Sequence, residues 1–300
     1  MAAFPGRAER NQELRAQISL LPDGRRLHLQ DGPIDLVVEA FGAAQEIEAA
    51  YRAAARRFTS VLDELCSEVS ILRQPVTPLS SMPHGPVAQR MMEAVRPFAG
   101  EHFITPMAAV AGAVAEEILS AMLSAAELTR AYVNDGGDIA IHLAPGHTFV
   151  VGMIERPDRP SLFGTAMIAC AEPVRGIATS GWRGRSFSLG IADAVTVLAD
   201  GAAAADAAAT LIANAVDLPG HPNIIRVPAY ALAPDSDLGG RLVTQHVGDL
   251  SDNEVSVALE AGTLFAESLV SRGLIHSAAL CLRGATRIAA RMAEGSLAYA

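Results

Sequence analysis

Asp206 and Thr210 stand four residues apart in an alanine-rich segment, GAAAADAAATLIANAV, that runs from Gly201 to Val216. On a helix this spacing puts both side chains on one face about a turn apart, aimed at the same small object. Two hard oxygens of this kind suit Mg2+ or Mn2+; a magnesium-like ion takes one or two protein carboxylates and leaves its other positions to water and phosphate. Asp206 is therefore both a metal-ligand candidate and a catalytic candidate. An aspartate near the first turn is also favoured by the helix dipole whatever the function. The surrounding alanines sharpen the choice, because a carboxylate and a hydroxyl on a small apolar face are costly to bury without partners.

Two further clusters could handle an anionic ligand. Asn134, Gly136, Gly137 and Asp138 belong to the turn Asn134-Asp135-Gly136-Gly137-Asp138, whose adjacent glycines permit positive φ and let backbone approach a ligand closely. A plain hairpin turn reads the same way. Thr179-Ser180-Gly181 and Gly184-Arg185-Ser186 make a glycine- and hydroxyl-rich loop with Arg183 and Arg185. Backbone amides and guanidinium groups there can cradle a phosphate, or the loop can be merely exposed. Trp182, the sole tryptophan, suits a packing anchor or a stacking platform. His142 and His147 flank a Pro145-Gly146 turn, so each is a candidate proton carrier, with a structural role as the alternative. Serine-hydrolase, P-loop and zincin motifs are missing.

The elements that would position these groups follow from periodicity. Ala16 to Leu20, Arg26 to Gln30 and Asp35 to Glu39 read as a three-stranded meander between the turns Pro22-Asp23-Gly24 and Asp31-Gly32-Pro33. Ala44 to Leu72 is a long helix, open to interruption, and the proline-rich stretch Gln74 to Pro86 is a loop before a short helix at Val87 to Val95. Thr105 stands as N-cap and Pro106 as first residue of a helix reaching Ala126. Ala131 to Val133, Ile139 to Leu143 and Thr148 to Met153 read as successive strands. A charged loop at Glu155 to Arg159 precedes strands at Gly164 to Ala169, Val174 to Thr179 and Ala194 to Leu198. The Asp206 helix starts near Gly201, Leu218 to Pro222 is a turn, and strands follow at Ile224 to Pro228 and Leu242 to Val247. Asn253 to Ser271 is an amphipathic helix and Ala278 to Ala290 a strand or bend.

The chain is half apolar with a formal charge of −10, enough for a large core and against a nucleic-acid surface, which needs a clustered basic face. Three cysteines without CxxC spacing signal neither a disulfide framework nor a zinc site. Without an apolar leader or an uninterrupted apolar run of membrane length, the expectation is a cytoplasmic protein with no membrane contact. Residues 1–15 read as a polar arm and 16–300 as a single domain. Long apolar helices make a homodimer a further expectation.

Three segments in order resemble the ApbE superfamily: Asn-x-Gly-Gly-Asp at Asn134 to Asp138, Ala-Thr-Ser-Gly at Ala178 to Gly181, and Val-Thr-Val-Leu-Ala followed by Ala-Asp-x-x-x-Thr at Val195 to Ala199 and Ala205 to Thr210. Thr-Pro-Met-Ala-Ala-Val-Ala-Gly at Thr105 to Gly112 and Ser-Phe-Ser-Leu-Gly-x-Ala-Asp at Ser186 to Asp193 look like a shorter ApbE-like branch. Roughly residues 100 to 290 are covered. The resemblance implies an α+β fold, with an antiparallel-rich sheet and packed helices. It also implies the activity of magnesium-dependent FAD:protein FMN transferases, with FAD as substrate or ligand and a protein threonine as acceptor. Asp206 and Thr210 would hold the metal, while Gly136-Gly137 and the Thr179-Ser180-Gly181 loop would lie along the nucleotide.

One departure stands out. The transferases carry a His-x-x-Asp-Pro-x-x-Gly segment after the Thr-Ser-Gly loop, and Trp182 to Asp193 has neither histidine nor proline. Either another base serves, with His142 and His147 as candidates, or the pocket has a different use. The resemblance thus leaves two functions open: an enzyme cleaving or transferring at a pyrophosphate, and a non-catalytic ligand-binding or accessory protein.

Overall fold

The computed structural model describes residues 15–154 and 162–290. The expected arm, Arg15 apart, and the charged loop at Glu155 to Arg159 fall outside them. Strands β1 (Gln17–Leu20), β2 (Leu27–Asp31) and β3 (Ile34–Phe41) form the anticipated meander, and β4 (Arg130–Asp135) and β5 (Asp138–Leu143) extend it. Next in the chain, β6 (Thr148–Ile154) and β7 (Leu162–Ala169) leave the sheet and pair with each other. Pairing then resumes with β8 (Gly176–Ser180) and β9 (Ala194–Ala199). A separate ribbon, β10 (Ile224–Pro228) with β11 (Leu242–Val247), precedes the last hairpin, β12 (Ser277–Leu282) and β13 (Ala285–Ala290). The main sheet thus has nine antiparallel strands in the order β1-β2-β3-β4-β5-β8-β9-β12-β13.

Seven α-helices accompany the described strands: α1 (Ala44–Ser67), α2 (Val69–Leu72), α3 (Pro86–Val95), α4 (Val110–Ala125), α5 (Ala202–Ala215), α6 (Ala229–Leu232) and α7 (Asp252–Ser271). Their apolar faces and one face of the sheet enclose the main core, in which Phe58, Met91, Ile118, Ile212 and Leu259 are fully buried. This is an α+β fold. Alternation along β5 shows how the second sheet face is used. Ala140 joins the main core, while Ile141 and Leu143 join a smaller cluster with Ile168 and Phe149 of the β6–β7 hairpin. Side chains two apart share a face, so the hairpin departs from the sheet to cover apolar residues on its far side.

Other expectations are refined. The long helix breaks at Glu68, between α1 and α2. Pro106–Ala109 is a 3-10 turn leading into α4, and the Thr105 hydroxyl donates to Asp237 at 2.5 Å instead of capping the helix. The C-terminal segment is a hairpin turned at Arg283-Gly284, both with positive φ. The stretch Pro106–Ala125 is long and apolar enough to cross a membrane by length and composition alone. It carries Glu116 and Glu117 in ion pairs with Arg90 and Arg57, and Gly112, Ala113, Val114, Ala115 and Ile118 are buried in the core.

Candidate functional site

The alanines around Asp206 let α5 pack tightly on the sheet and on α4. Gly112 of α4 has no side chain because one would collide with the Ala202 carbonyl at the start of α5. This crossing fixes where Asp206 sits. Its Oδ2 accepts a hydrogen bond from the Gly112 backbone N–H at 3.2 Å, so a carboxylate on one helix serves the amino end of another.

Asp206 and Thr210 open into a cavity of about 1000 Å³. The cavity also receives the β4–β5 turn, Asn134 to Asp138, and the loop after β8, with Thr179, Ser180, Gly181, Arg185 and Ser186. All the anticipated cofactor and metal residues therefore share one chamber. The rest of the lining is largely apolar, with Leu62, Leu65 and Val69 of α1 and α2, Met107 of the 3-10 turn, and Val110 and Val114 of α4. A largely apolar lining with a few polar groups is the usual make-up of a small-molecule site.

Each polar element has a local cause. The Asn134 side chain accepts from the Gly137 N–H at 2.8 Å, closing a turn in which Gly136 and Gly137 have φ of 64° and 119°. Asp138 accepts from the Thr179 N–H at 3.2 Å, tying that turn to β8, and the Thr179 hydroxyl meets Thr196 at 3.0 Å. Gly181 lies against the Asp193 carbonyl, where a side chain would not fit. The loop beyond it is anchored by Asp193, only 4% exposed, which accepts from Trp182 Nε1 at 3.1 Å, Arg183 Nε at 2.6 Å and the Arg283 N–H at 2.7 Å. Arg183 stacks on the Trp182 ring, 4.3 Å from its centroid. Trp182 is thus a packing anchor, and Asp193 organises the loop.

Electrostatically the polar wall is uncomfortable. Burial raises the Asp138 carboxyl to about 7; the charge of Asp135 adds to this and the Thr179 N–H opposes it. Asp135 is likewise raised to about 7 by burial, against the Asp35 N–H and the positive charge of Arg185. Asp206 is pushed well up, first by burial and then by the charges of Asp138 and Asp135; the Gly112 and Ala111 amides only partly offset this. Three carboxylates facing one chamber resist sharing negative charge, and a cation or a cationic ligand edge would relieve them.

The donor chemistry fits magnesium. Asp206 and Thr210 offer hard oxygen, and among the described residues no three His, Cys, Asp or Glu side chains converge as a ready-made metal cage. Magnesium is commonly held by one or two carboxylates with water and substrate phosphate completing its shell.

The two histidines lie elsewhere. His142 is on β5 with Nε2 3.1 Å from the Leu128 carbonyl, and His147 sits in the turn before β6; neither is among the residues lining the cavity. Arg183, named with Arg185 as a phosphate-cradling candidate, also lines the cavity, with its Nε committed to Asp193, while Asp135 and Thr196 line it without having been singled out. Asp135 had a signal in the alternation of β4, where Ala131, Val133 and Asp135 share the buried face. Thr196 reaches the cavity because β9 pairs with β8 and sets it opposite Thr179, a partnership that spacing does not reveal.

A family profile described as AbpE bacteria matches residues 18–288. A UPF0280 protein of Methanopyrus kandleri is 40% identical over 141 residues, covering 47% of this chain and 52% of the relative. One from Methanosphaerula palustris is 37% identical over 154 residues, covering 48% and 56%. The chain spans about half the length of these curated relatives. Among solved structures, the flavin transferase ApbE from Vibrio cholerae aligns with a TM-score of 0.46 at 11% identity, over 91% of this chain and 96% of the other. The ApbE protein from Thermotoga maritima aligns with a TM-score of 0.46 at 13% identity, over 91% and 96%.

Proposed function

Because the chain belongs to the family described as AbpE bacteria, we propose that it is a magnesium-dependent, flavin- or nucleotide-binding enzyme that cleaves or transfers at a pyrophosphate, most simply with FAD as substrate. The observation that carries this reading is the convergence of Asp206, Thr210, the Gly136-Gly137 turn and the Thr179-Ser180-Gly181 loop on one cavity whose remaining lining is largely apolar. Asp206 and Thr210 would hold the ion, which when bound neutralises phosphate charge in phosphoryl transfer. The chain's own groups do the positioning. Ser180, Ser186 and the exposed Arg185 line the cavity and would meet phosphate charge, and the apolar lining would exclude water from a planar ring.

A second reading rests on one observation: the loop from Trp182 to Asp193 lacks the histidine-bearing segment of the transferases, and His142 and His147 do not line the cavity. On that reading the protein binds the ligand without processing it. Incubation with FAD and Mg2+, followed by chromatography for FMN and AMP, separates the two. Release that is lost in Asp206→Asn supports the enzyme; tight FAD binding without release supports the binding protein. Neither binding nor release would contradict both.

A further inference from the structure

The amino end of α5 is capped from another helix. Gly201 occupies the N-cap position in extended backbone and supplies no capping side chain. Instead Glu116 of α4 accepts from the Ala203 N–H at 2.9 Å through Oε1, and Ala203 is the second helical residue, one of the amides an N-cap normally serves. A side chain built on Gly201 would run into the Glu116 carboxylate, which supplies its nearest atoms. Glu116 therefore fills the space that an N-cap serine or aspartate would take.

The arrangement is reciprocal. Asp206 of α5 serves Gly112 near the start of α4, and Glu116 of α4 serves Ala203 at the start of α5. Gly112 and Glu116 are four apart and share a face; the first lets the helices touch and the second ties them. Arg90 of α3 holds the other Glu116 oxygen at 3.5 Å, so the carboxylate is aimed from behind.

We propose that Glu116 is a positioning residue for the Asp206–Thr210 pair, acting through the amino end of α5. This rests on the reading of that pair as a metal site. Loss of the cap frees the first turn of α5, just ahead of Asp206, and turns the carboxylate and hydroxyl out of register with the loops across the cavity.

The test is Mn2+ titration of the full chain, followed by electron paramagnetic resonance, with circular dichroism to confirm folding. Glu116→Ala is expected to weaken Mn2+ binding by about 10- to 100-fold, the range for losing a group that orients a ligand. Glu116→Gln, whose amide oxygen can still accept from Ala203, is expected to recover most of that loss. Glu116→Ala with Gly201→Ser restores a cap from within α5, in space that the first change clears, and is expected to recover binding as well. Should Glu116→Ala fail to fold, the Gln variant and the double variant still decide the matter. Unchanged binding in Glu116→Ala would overturn the inference alone. So would a folded double variant that still binds weakly, since Glu116 would then act by some route other than the cap. No Mn2+ binding by the unaltered protein would remove the metal reading, and this inference with it.

Discussion

Asp193, buried, and Asp206, half-buried in the cavity, serve one loop-and-cavity system by opposite strategies. Asp193 is nearly inaccessible and fully answered: an indole N–H, a guanidinium and a backbone N–H all point at it. Asp206 has amides from one helix end and two other carboxylates for company, and burial pushes its carboxyl well above the ordinary carboxylate range. A buried carboxylate whose partners are all protein groups is a structural rivet. One that the protein leaves electrically unsettled, in a cavity, is available to something from solution.

The largest effect should come from the rivet. Asp193→Ala removes the acceptor shared by Trp182, Arg183 and the Arg283 N–H and frees the Trp182 loop, and removing one partner of a buried pair costs about 3–5 kcal/mol. Urea denaturation should show the loss; a change under about 1 kcal/mol, the worth of an exposed pair, would mean the loop is held otherwise. Asp206 should behave in the reverse way. Asp206→Asn keeps an acceptor for Gly112 and removes the charge, so metal-dependent ligand binding should vanish with little loss of stability. Asp206→Ala should lose the same binding and also about 1 kcal/mol for the missing cap. Equal stability of the two variants would show that the Gly112 contact contributes nothing.

A smaller, pH-dependent effect sharpens the contrast. Asp135 and Asp138 have folded-state values near 7, above the ordinary carboxylate value of 3.8. Between about pH 4 and pH 7 the folded protein then holds more protons than the unfolded chain, so these groups make stability fall as pH rises through that window. Asp138→Asn should flatten this slope in metal-free thermal melts at a series of pH values, and Mg2+ should stabilise the unaltered protein more at pH 8 than at pH 5. Identical slopes would argue against a strained carboxylate at that position. The smallest effect is expected at Thr210, where Thr210→Val removes the neutral hydroxyl proposed to meet the ion while keeping shape. It should weaken Mn2+ binding by about tenfold, at the low end of what mutating groups around a metal costs, and an unaltered affinity would leave Asp206 as the sole protein ligand.

Much of the fold was legible because it is written in short-range patterns. The meander at β1 to β3, the proline loop after α2 and helices α3, α5 and α7 all follow from period and turn residues. The exit of β6 from the sheet was not legible, since a strand's sequence does not name its partner; only the two-faced alternation of Ile139 to Leu143 hinted that something must cover the far side. The site follows the same division. Asp206, Thr210, the glycine turn and the Thr-Ser-Gly loop were visible as types and spacings, and they share one cavity. The settling of Asp193 by Arg183, Trp182 and Arg283, and the capping of α5 by Glu116, are contacts between segments 10 to 90 residues apart. Such pairings exist only once the chain is folded. Gly201 illustrates the limit: in sequence it is a missing cap, in space a gap that Glu116 fills.

Isothermal titration of FAD into the unaltered protein and into Asp206→Asn, each with and without Mg2+, tests most directly whether this cavity is a cation-dependent nucleotide site built on Asp206. Binding is expected only for the unaltered protein with Mg2+ present. Equal FAD binding in all four titrations, or none in any, would contradict it.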